Sequence, residues 1–257
     1  MRKTSLVTLL MALALFVAPS VQAATAFADP QFDALWQAGE AITPNFWGPL
    51  AIASGPSMQD YKEAAGGKRL VQYFDKGRME LTNGQVTSGL LAKEMVTGQV
   101  QVGDSAFIAL TPADIPIAGD PVGPGATFLD VYQASTHVLA EAPRRGTVNI
   151  IINDHKGRNF ERADGFPTTG YDEVTKHNIF GKFADYRDKA GLSTIGYAIS
   201  EPFITTPNVG GKATAVLVQI FERRTLTYNT NIYPGGVEMG NVGRQYFAWR
   251  NGGAQPS

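Results

Sequence analysis

Two stretches of the chain, 147 residues apart, resemble one another, and this similarity constrains the fold more than any other feature of the sequence. Residues 69–81 read RLVQYFDKGRMEL and residues 216–228 read VLVQIFERRTLTY. Aligned without a gap, the two stretches share a leucine, a valine, a glutamine and a phenylalanine. Each is preceded by Gly-Gly-Lys, at 66–68 and 210–212. A chain with two such stretches is expected to build two similar modules.

Large apolar residues alternate with other residues in each stretch around a short polar turn, and this alternation predicts a β-hairpin. In the first copy, residues 75–77 (Asp-Lys-Gly) fit a three-residue loop with Gly77 in the left-handed position. The second copy has Arg224 at the place of Gly77. Its turn therefore either has another geometry or holds a left-handed arginine, which costs about 1–2 kcal/mol. The turn keeps its charge signs in the pairs Asp75/Glu222 and Lys76/Arg223.

Helix signals follow both hairpins and occur twice elsewhere in the chain. In the first copy a helix is expected over residues 88–97, with Thr87 as its N-cap and Gly98 at its end. The other three expected helices begin after an Asx cap and end near a glycine: Asp29 to Gly39, Asn178 to Gly191 and Asn241 to Gly252. A further hairpin is expected between residues 147–153 and about 158–164.

These signals predict an α+β fold in which two duplicated β-hairpin-plus-helix modules flank a central β-hairpin and helix. The predicted order along the chain is a signal peptide (1–23), a first module with an N-terminal helix (24–111), a Gly- and Pro-rich linker (112–125), a central hairpin and helix (126–191) and a second module (192–257).

The N-terminus has the three parts of a secretory signal: basic Arg2 and Lys3, an apolar run over 6–17, and small residues at 21–23. The apolar run is shorter than the roughly 20 residues that a membrane-spanning helix needs. We therefore expect cleavage near Ala23 and a mature protein that is secreted or lies at the cell surface. No later apolar stretch approaches spanning length, so no membrane span is expected in the mature chain.

Composition narrows the classes of partner. Removal of the signal leaves 20 basic and 23 acidic side chains without a long run of either sign. Nucleic-acid binding depends on a basic patch that neutralises phosphates, so nucleic acid is not expected as a partner. The absence of cysteine means that an exported chain of this kind depends on its apolar core rather than on disulfides.

No catalytic, metal or cofactor motif stands out. The three histidines are at least 18 residues apart, which does not fit local zinc-ligand spacing. A nucleophile elbow and a phosphate-binding Gly-Lys-Ser/Thr loop are both missing, so we expect no catalytic residues, no metal and no cofactor. The alternative that stays open is a secreted hydrolase, metal-dependent or not, with a site between the modules around Asp172, Glu173 and His177.

Aromatic side chains near the two copies are candidates for ligand contact, because they can stack on sugar rings or anchor a protein partner. Burial in the core is the ordinary alternative for such side chains. Trp47 stands in a segment flanked by glycine and proline, and Tyr73 is out of phase with its apolar neighbours. The candidate ligand-binding residues are Trp47, Tyr73, Arg78, Tyr228 and Trp249.

Residues 196–228, GYAISEPFITTPNVGGKATAVLVQIFERRTLTY, resemble the LGFP-type repeat of secreted bacterial cell-wall proteins. The stretch from Trp47 through Leu81 looks like a more diverged version. The hairpin and helix segments of both copies are also similar to a set of uncharacterised secreted proteins of Chloroflexota-type bacteria. The LGFP resemblance implies association with the cell envelope. The expected function is a non-enzymatic binding module for a cell-wall glycan or another envelope component, in an oligomeric state that the sequence leaves open.

Overall fold

The computed structural model describes residues 27–48, 55–134, 138–142, 152–153, 159–160, 166–229 and 236–252, so the predicted signal peptide lies outside the described residues. The helices in this part are α1 (Pro30–Glu40), α2 (Leu91–Thr97), α3 (Phe128–Gln133), α4 (Gly181–Ala190), α5 (Leu192–Ile195) and α6 (Val242–Arg250). The strands are β1 (Ser57–Asp60), β2 (Lys68–Phe74), β3 (Gly77–Thr82), β4 (Gln85–Ser88), β5 (Gln99–Gln101), β6 (Phe107–Ala109), β7 (Ile152–Asn153), β8 (Asn159–Phe160), β9 (Thr168–Asp172), β10 (His177–Phe180), β11 (Phe203–Thr205), β12 (Asn208–Val209), β13 (Lys212–Ala213), β14 (Val216–Ile220), β15 (Thr225–Tyr228) and β16 (Val237–Met239).

Two four-stranded antiparallel sheets organise the molecule, one with the order β1-β2-β3-β4 and the other with the order β11-β14-β15-β16. The first sheet is followed by α2 and the second by α6. We call β1–β4 with α2 the first module, and β11 and β14–β16 with α6 the second module. The remaining strands form two-stranded pairs, which include the central hairpin β7–β8. The α+β class and the two hairpin-plus-helix modules are thus confirmed.

The two modules pair their strands in the same register. Gln72 lies opposite Met79 in the first hairpin, and Gln219 lies opposite Leu226 in the second. The outer pairs agree as well, because Glu80 lies opposite Thr87 and Thr227 opposite Glu238. Positions in the hairpins therefore correspond at the sequence spacing of 147, and positions in the last strand and helix at a spacing of 151.

The helix of each module is hydrogen-bonded to the hairpin turn of the other module. The backbone N–H of Lys93 in α2 donates to the carbonyl of Glu222 at 3.0 Å, and the N–H of Arg244 in α6 donates to the carbonyl of Asp75 at 3.1 Å. The side chains repeat the exchange, because Lys93 pairs with Glu222 and Arg244 with Asp75. Unsatisfied N–H groups at a helix start favour partners with oxygen atoms and negative charge. In both modules the acidic turn residue provides its carbonyl oxygen to the helix backbone and its carboxylate to a basic side chain of the helix.

The first hairpin turn differs from the predicted three-residue loop. Phe74 pairs with Gly77, so the loop contains only two residues, and Gly77 does not adopt a left-handed conformation. The glycine is needed for space instead. A Cβ atom at Gly77 would lie 2.5–2.6 Å from the guanidinium of Arg224, its counterpart in the second module. Glycine in one turn therefore accommodates arginine in the other.

Of the four predicted helix starts two are wrong and two are confirmed, and one of the confirmed ones is α6, which begins directly after Asn241. Asp29 caps α1 as expected, accepting the N–H of Gln31 at 2.8 Å. Thr87 instead lies in β4, and α2 begins only at Leu91. Asn178 lies in β10, where its backbone and side-chain amides both bind Glu201, and α4 begins at Gly181. In both cases a cap-like residue is used by a strand.

Both modules contribute to the same core. One apolar cluster joins Val71 of β2 and Met95 of α2 with Val218 of β14 and Val242 of α6. Ala113 and Ile117, from the segment expected to be a linker, are also fully buried in this cluster. Within the described residues no helix is long and apolar enough to cross a membrane.

Candidate functional site

A polar cavity of about 420 Å³ opens on the first module, and we call it cavity A. Its wall includes Glu80 of β3, Thr87 of β4, Gln101 of β5 and Asp104, which follows β5. Among the described residues that line it, only Arg223 comes from the second module. The hairpin turn of the second module, which is hydrogen-bonded to α2 of the first module, therefore completes this cavity.

Several polar side chains of cavity A are held in place by their neighbours. Arg69 donates to Glu80 at 2.7 Å and lies 4.2 Å from the ring centre of Tyr61. The Tyr61 hydroxyl donates to Asp104 at 2.6 Å, and the N–H of Asp104 donates to Glu63 at 2.8 Å. Burial and the hydrogen bond to Asp104 raise the pKa of Tyr61 to about 12. The wall is thus a connected network of donors and acceptors.

Arg223 stands out in this wall because it has no ion pair within the part of the chain that the structure describes. It lies in the turn between β14 and β15, and one of its terminal nitrogens donates to the carbonyl of Ser88. Burial lowers the pKa of Arg223, while the carboxylates of Glu80 and Glu222 act in the opposite direction. A guanidinium with spare donors therefore borders the cavity.

A second hollow, of about 380 Å³, adjoins cavity A and shares Leu90, Gln101 and Asp104 with it. We call it the Phe107 hollow. Phe107 in β6 borders it with 53% of its surface exposed, and Ile108 and Leu110 next to it are 47% and 40% exposed. Polar cavity and apolar hollow together form one cleft along the first module.

Beneath this cleft lies a buried ionic cluster that joins the two modules. Arg78 donates to Glu80 through its Nε at 2.7 Å, and its guanidinium lies 3.6 Å from Glu94. The hydroxyl of Tyr246, from α6 of the second module, donates to Glu94. Burial raises the pKa of Glu94, and the positive charge of Arg78 opposes that shift. Glu94 borders the Phe107 hollow, and Glu80 borders cavity A.

A cavity of about 810 Å³ lies at the second module, and we call it cavity B. It is lined by Thr227, Glu238 and Asn241 of the second module, by Tyr186 of α4, and by Lys76 from the hairpin turn of the first module. Lys76 donates to the carbonyl of Asn45 at 3.0 Å, and burial lowers its pKa.

The structure places the five ligand-binding candidates mostly in the interior, and it brings two of them together, because a terminal nitrogen of Arg78 donates to the hydroxyl of Tyr73 at 3.2 Å. Trp47 and Arg78 are at most 1% exposed, and Tyr73 and Tyr228 are 4% and 8% exposed. Trp249 is half-buried and donates to the carbonyl of Thr111 at 2.9 Å. Tyr73 and Tyr228 reach the walls of two separate shallow hollows. Four of the five are buried and Trp249 is half-buried, so they do not form an open stacking platform.

The three residues of the hydrolase alternative have separate partners. Asp172 accepts two hydrogen bonds from Arg187, at 2.6 and 2.7 Å, and one from the N–H of Ala198. His177 lies opposite Asp172 in the strand pair, but its side chain contacts Glu201 at 3.2 Å. The third residue, Glu173, is exposed and pairs with Lys176. In the described part of the chain, no group of three or more His, Cys, Asp or Glu is placed to hold a metal ion.

The residues that line the cleft were not identified from the sequence, apart from the basic residue Arg223, whose counterpart Lys76 borders cavity B. The sequence contained a signal for this residue, because a basic residue kept at the same turn position of both copies is expected to lie at equivalent places in the two modules. Phe107 lies outside the two similar stretches and carried no comparable signal.

No family model, curated protein or solved structure matches this chain.

Proposed function

We propose that the mature protein is a secreted, non-enzymatic binding module for a cell-wall glycan or another envelope component, and that it binds in the cleft formed by cavity A and the Phe107 hollow. The observation that carries the proposal is the continuity of a polar cavity with an apolar hollow that has an exposed aromatic ring. Ligand sites in proteins combine an apolar surface with a few fixed polar groups in this way.

The polar half suits sugar hydroxyls. A hydroxyl both donates and accepts hydrogen bonds, so it needs carboxylate or carbonyl oxygens and N–H donors within one site. Cavity A offers Asp104, Gln101 and Arg223 on a common wall. Because the surrounding network already fixes Asp104, little conformational entropy would be lost on binding.

The apolar half suits the C–H face of a pyranose ring. Phe107, Ile108 and Leu110 are all exposed on and beside one short hairpin. Of these three, Phe107 lines the hollow itself, and an exposed aromatic ring beside a polar cavity is a candidate interaction surface. The expected export signal and the LGFP resemblance support an envelope component as the ligand.

A co-sedimentation assay with isolated bacterial cell walls tests the proposal, using the mature protein and the variants Phe107→Ala and Phe107→Tyr. We expect the wild type and Phe107→Tyr to sediment with the walls, and Phe107→Ala to bind at least about 10-fold more weakly, as for an interface aromatic worth about 1.4 kcal/mol or more. Wild-type protein that stays entirely in the supernatant at every salt concentration would contradict the proposal.

A secreted hydrolase is the second candidate, now at Glu80 and Glu94 rather than at Asp172 and His177. The specific observation is that two carboxylates in different environments border adjoining hollows: Glu80 is held by Arg69 and Arg78, and burial raises the pKa of Glu94. Glycoside cleavage uses two carboxylates whose environments separate their roles. Release of reducing ends from wall glycan by the wild type, abolished in both Glu80→Gln and Glu94→Gln, would favour this candidate over binding alone.

A further inference from the structure

We propose that cavity B is a second, quasi-equivalent sugar-binding site, so that one chain binds two glycan segments. The inference rests on the proposed function of cavity A and extends it to the second module. It follows from the shared strand register, from the residues at equivalent positions and from the reciprocal hairpin turns.

The same cross-strand pair borders both cavities. In cavity A the pair is Glu80 and Thr87, and in cavity B it is Thr227 and Glu238. Glu80 corresponds to Thr227 at the spacing of 147, and Thr87 corresponds to Glu238 at the spacing of 151. The acidic residue is therefore on the first strand of the pair in the first module and on the second strand in the second module, and the threonine is on the other strand in each case. Each cavity wall therefore keeps one carboxylate and one hydroxyl on the same pair of strands.

The same basic turn position borders both cavities from the opposite module. Arg223 of the second hairpin reaches cavity A, and Lys76 of the first hairpin reaches cavity B. Neither has an ion pair among the described residues, and burial lowers the pKa of both. Each cation donates to one backbone carbonyl, of Asn45 or of Ser88, and has further N–H donors. Partial burial of a cation without an ion pair is unfavourable, so its presence at both equivalent positions is expected where a ligand accepts hydrogen bonds from these further donors.

The balance of charges points to an uncharged polyhydroxyl ligand. Cavity B has Lys76 and Glu238 in its wall, and cavity A has at least as many carboxylates as guanidinium groups. Such a wall has no net positive charge with which to attract an anion, but it supplies both acceptors and donors for hydroxyl groups. A neutral wall sugar such as N-acetylglucosamine has this chemistry.

The two cavities can be blocked independently at equivalent positions. Thr87 and Glu238 are both exposed on strands at the edge of their sheets, so a tryptophan at either position fills the cavity without entering the core. Ala213→Trp, on the exposed strand β13 and not among the residues that line either cavity, is the matched control. Isothermal titration of the mature protein with the β-1,4-linked tetramer of N-acetylglucosamine gives the number of sites.

We expect two sites per chain for the wild type and Ala213→Trp, one site for Thr87→Trp, one for Glu238→Trp and none for the double variant. Circular dichroism and thermal unfolding show whether each variant is folded. One site in the wild type, lost in Thr87→Trp and unchanged in Glu238→Trp, would overturn this inference and leave the proposed function intact. Absence of tetramer binding would overturn this inference, while sedimentation with cell walls would still decide the proposed function.

Discussion

The two modules have the same backbone register but different interiors. In the first module Arg78, Glu80 and Glu94 form a buried ionic cluster, whereas the equivalent positions of the second module hold Thr225, Thr227 and Gln245. The shared apolar positions are sufficient to fix the strands and the helix. The polar positions are therefore free to differ, and at these three positions the first module is charged and the second is neutral.

The largest difference is expected at Arg78 and its counterpart Thr225. Arg78→Met leaves Glu80 and Glu94 buried without their shared guanidinium, and breaking a buried ion pair in this way costs about 3–5 kcal/mol. Thr225→Val removes only a buried hydroxyl that has no hydrogen-bond partner among the described residues, so its effect should be within about 1 kcal/mol or stabilising. Urea unfolding of the mature protein measures both changes in the free energy of unfolding. Equal losses for the two variants would contradict the difference between the interiors.

An intermediate effect on the free energy of unfolding is expected at the contact between the two hairpin turns, where Gly77 meets Arg224. Gly77→Ala places a methyl group against the buried guanidinium of Arg224, and overpacking of this kind costs about 1–3 kcal/mol. Arg224 also lies 4.6 Å from the ring centre of Trp47, and burial and Arg223 lower its pKa to about 9. A double-mutant cycle with Arg224→Met measures the coupling. We expect Gly77→Ala to be nearly neutral in the Arg224→Met background, and an unchanged loss would show that the two residues are not in contact.

The variant Glu94→Gln gives the first module the residue that the second module has at the equivalent position. Because glutamine does not titrate, the pH dependence of the free energy of unfolding separates the two modules at this position. The pKa of Glu94 is raised in the folded protein, so the folded state keeps this proton at a pH where the unfolded chain has lost it. The contribution of Glu94 to stability is therefore complete below its unfolded pKa of about 4.3 and is lost as the pH rises through its folded value. The free energy of unfolding of the wild type relative to Glu94→Gln should fall as the pH rises above about 4 in urea unfolding. A rise instead would contradict a raised pKa of Glu94 in the folded protein.

The smallest effect is expected at the reciprocal ion pairs. The side chains of Lys93 and Arg244 are 46% and 42% exposed, so solvent screens their pairs with Glu222 and Asp75. Lys93→Ala and Arg244→Ala should each lower the free energy of unfolding by less than about 1 kcal/mol, because exposed pairs contribute little. Losses above 2 kcal/mol would mean that these pairs, rather than the backbone bonds beside them, hold the exchanged turns.

The sequence predicted the elements that depend on local pattern. The hairpins follow from alternating apolar residues, α1 follows from Asp29 and Pro30, and Gly98 ends α2 in a left-handed conformation as expected. The failures involve residues used at a distance. Asn178 looked like a helix cap but binds Glu201, and the turn glycine makes room for an arginine 147 residues away. The candidate aromatics were found by type alone, and burial depends on tertiary packing that local spacing does not encode.

The amide chemical shifts of the labelled mature protein, followed as the N-acetylglucosamine tetramer is added, test the central claim most directly. The account predicts that the perturbed amides include Gln101, Asp104 and Phe107 at the cleft and Lys76 and Glu238 at cavity B, while the amides of Asp172 and His177, which line neither cavity, change little. Perturbations confined to surfaces away from both cavities would contradict it.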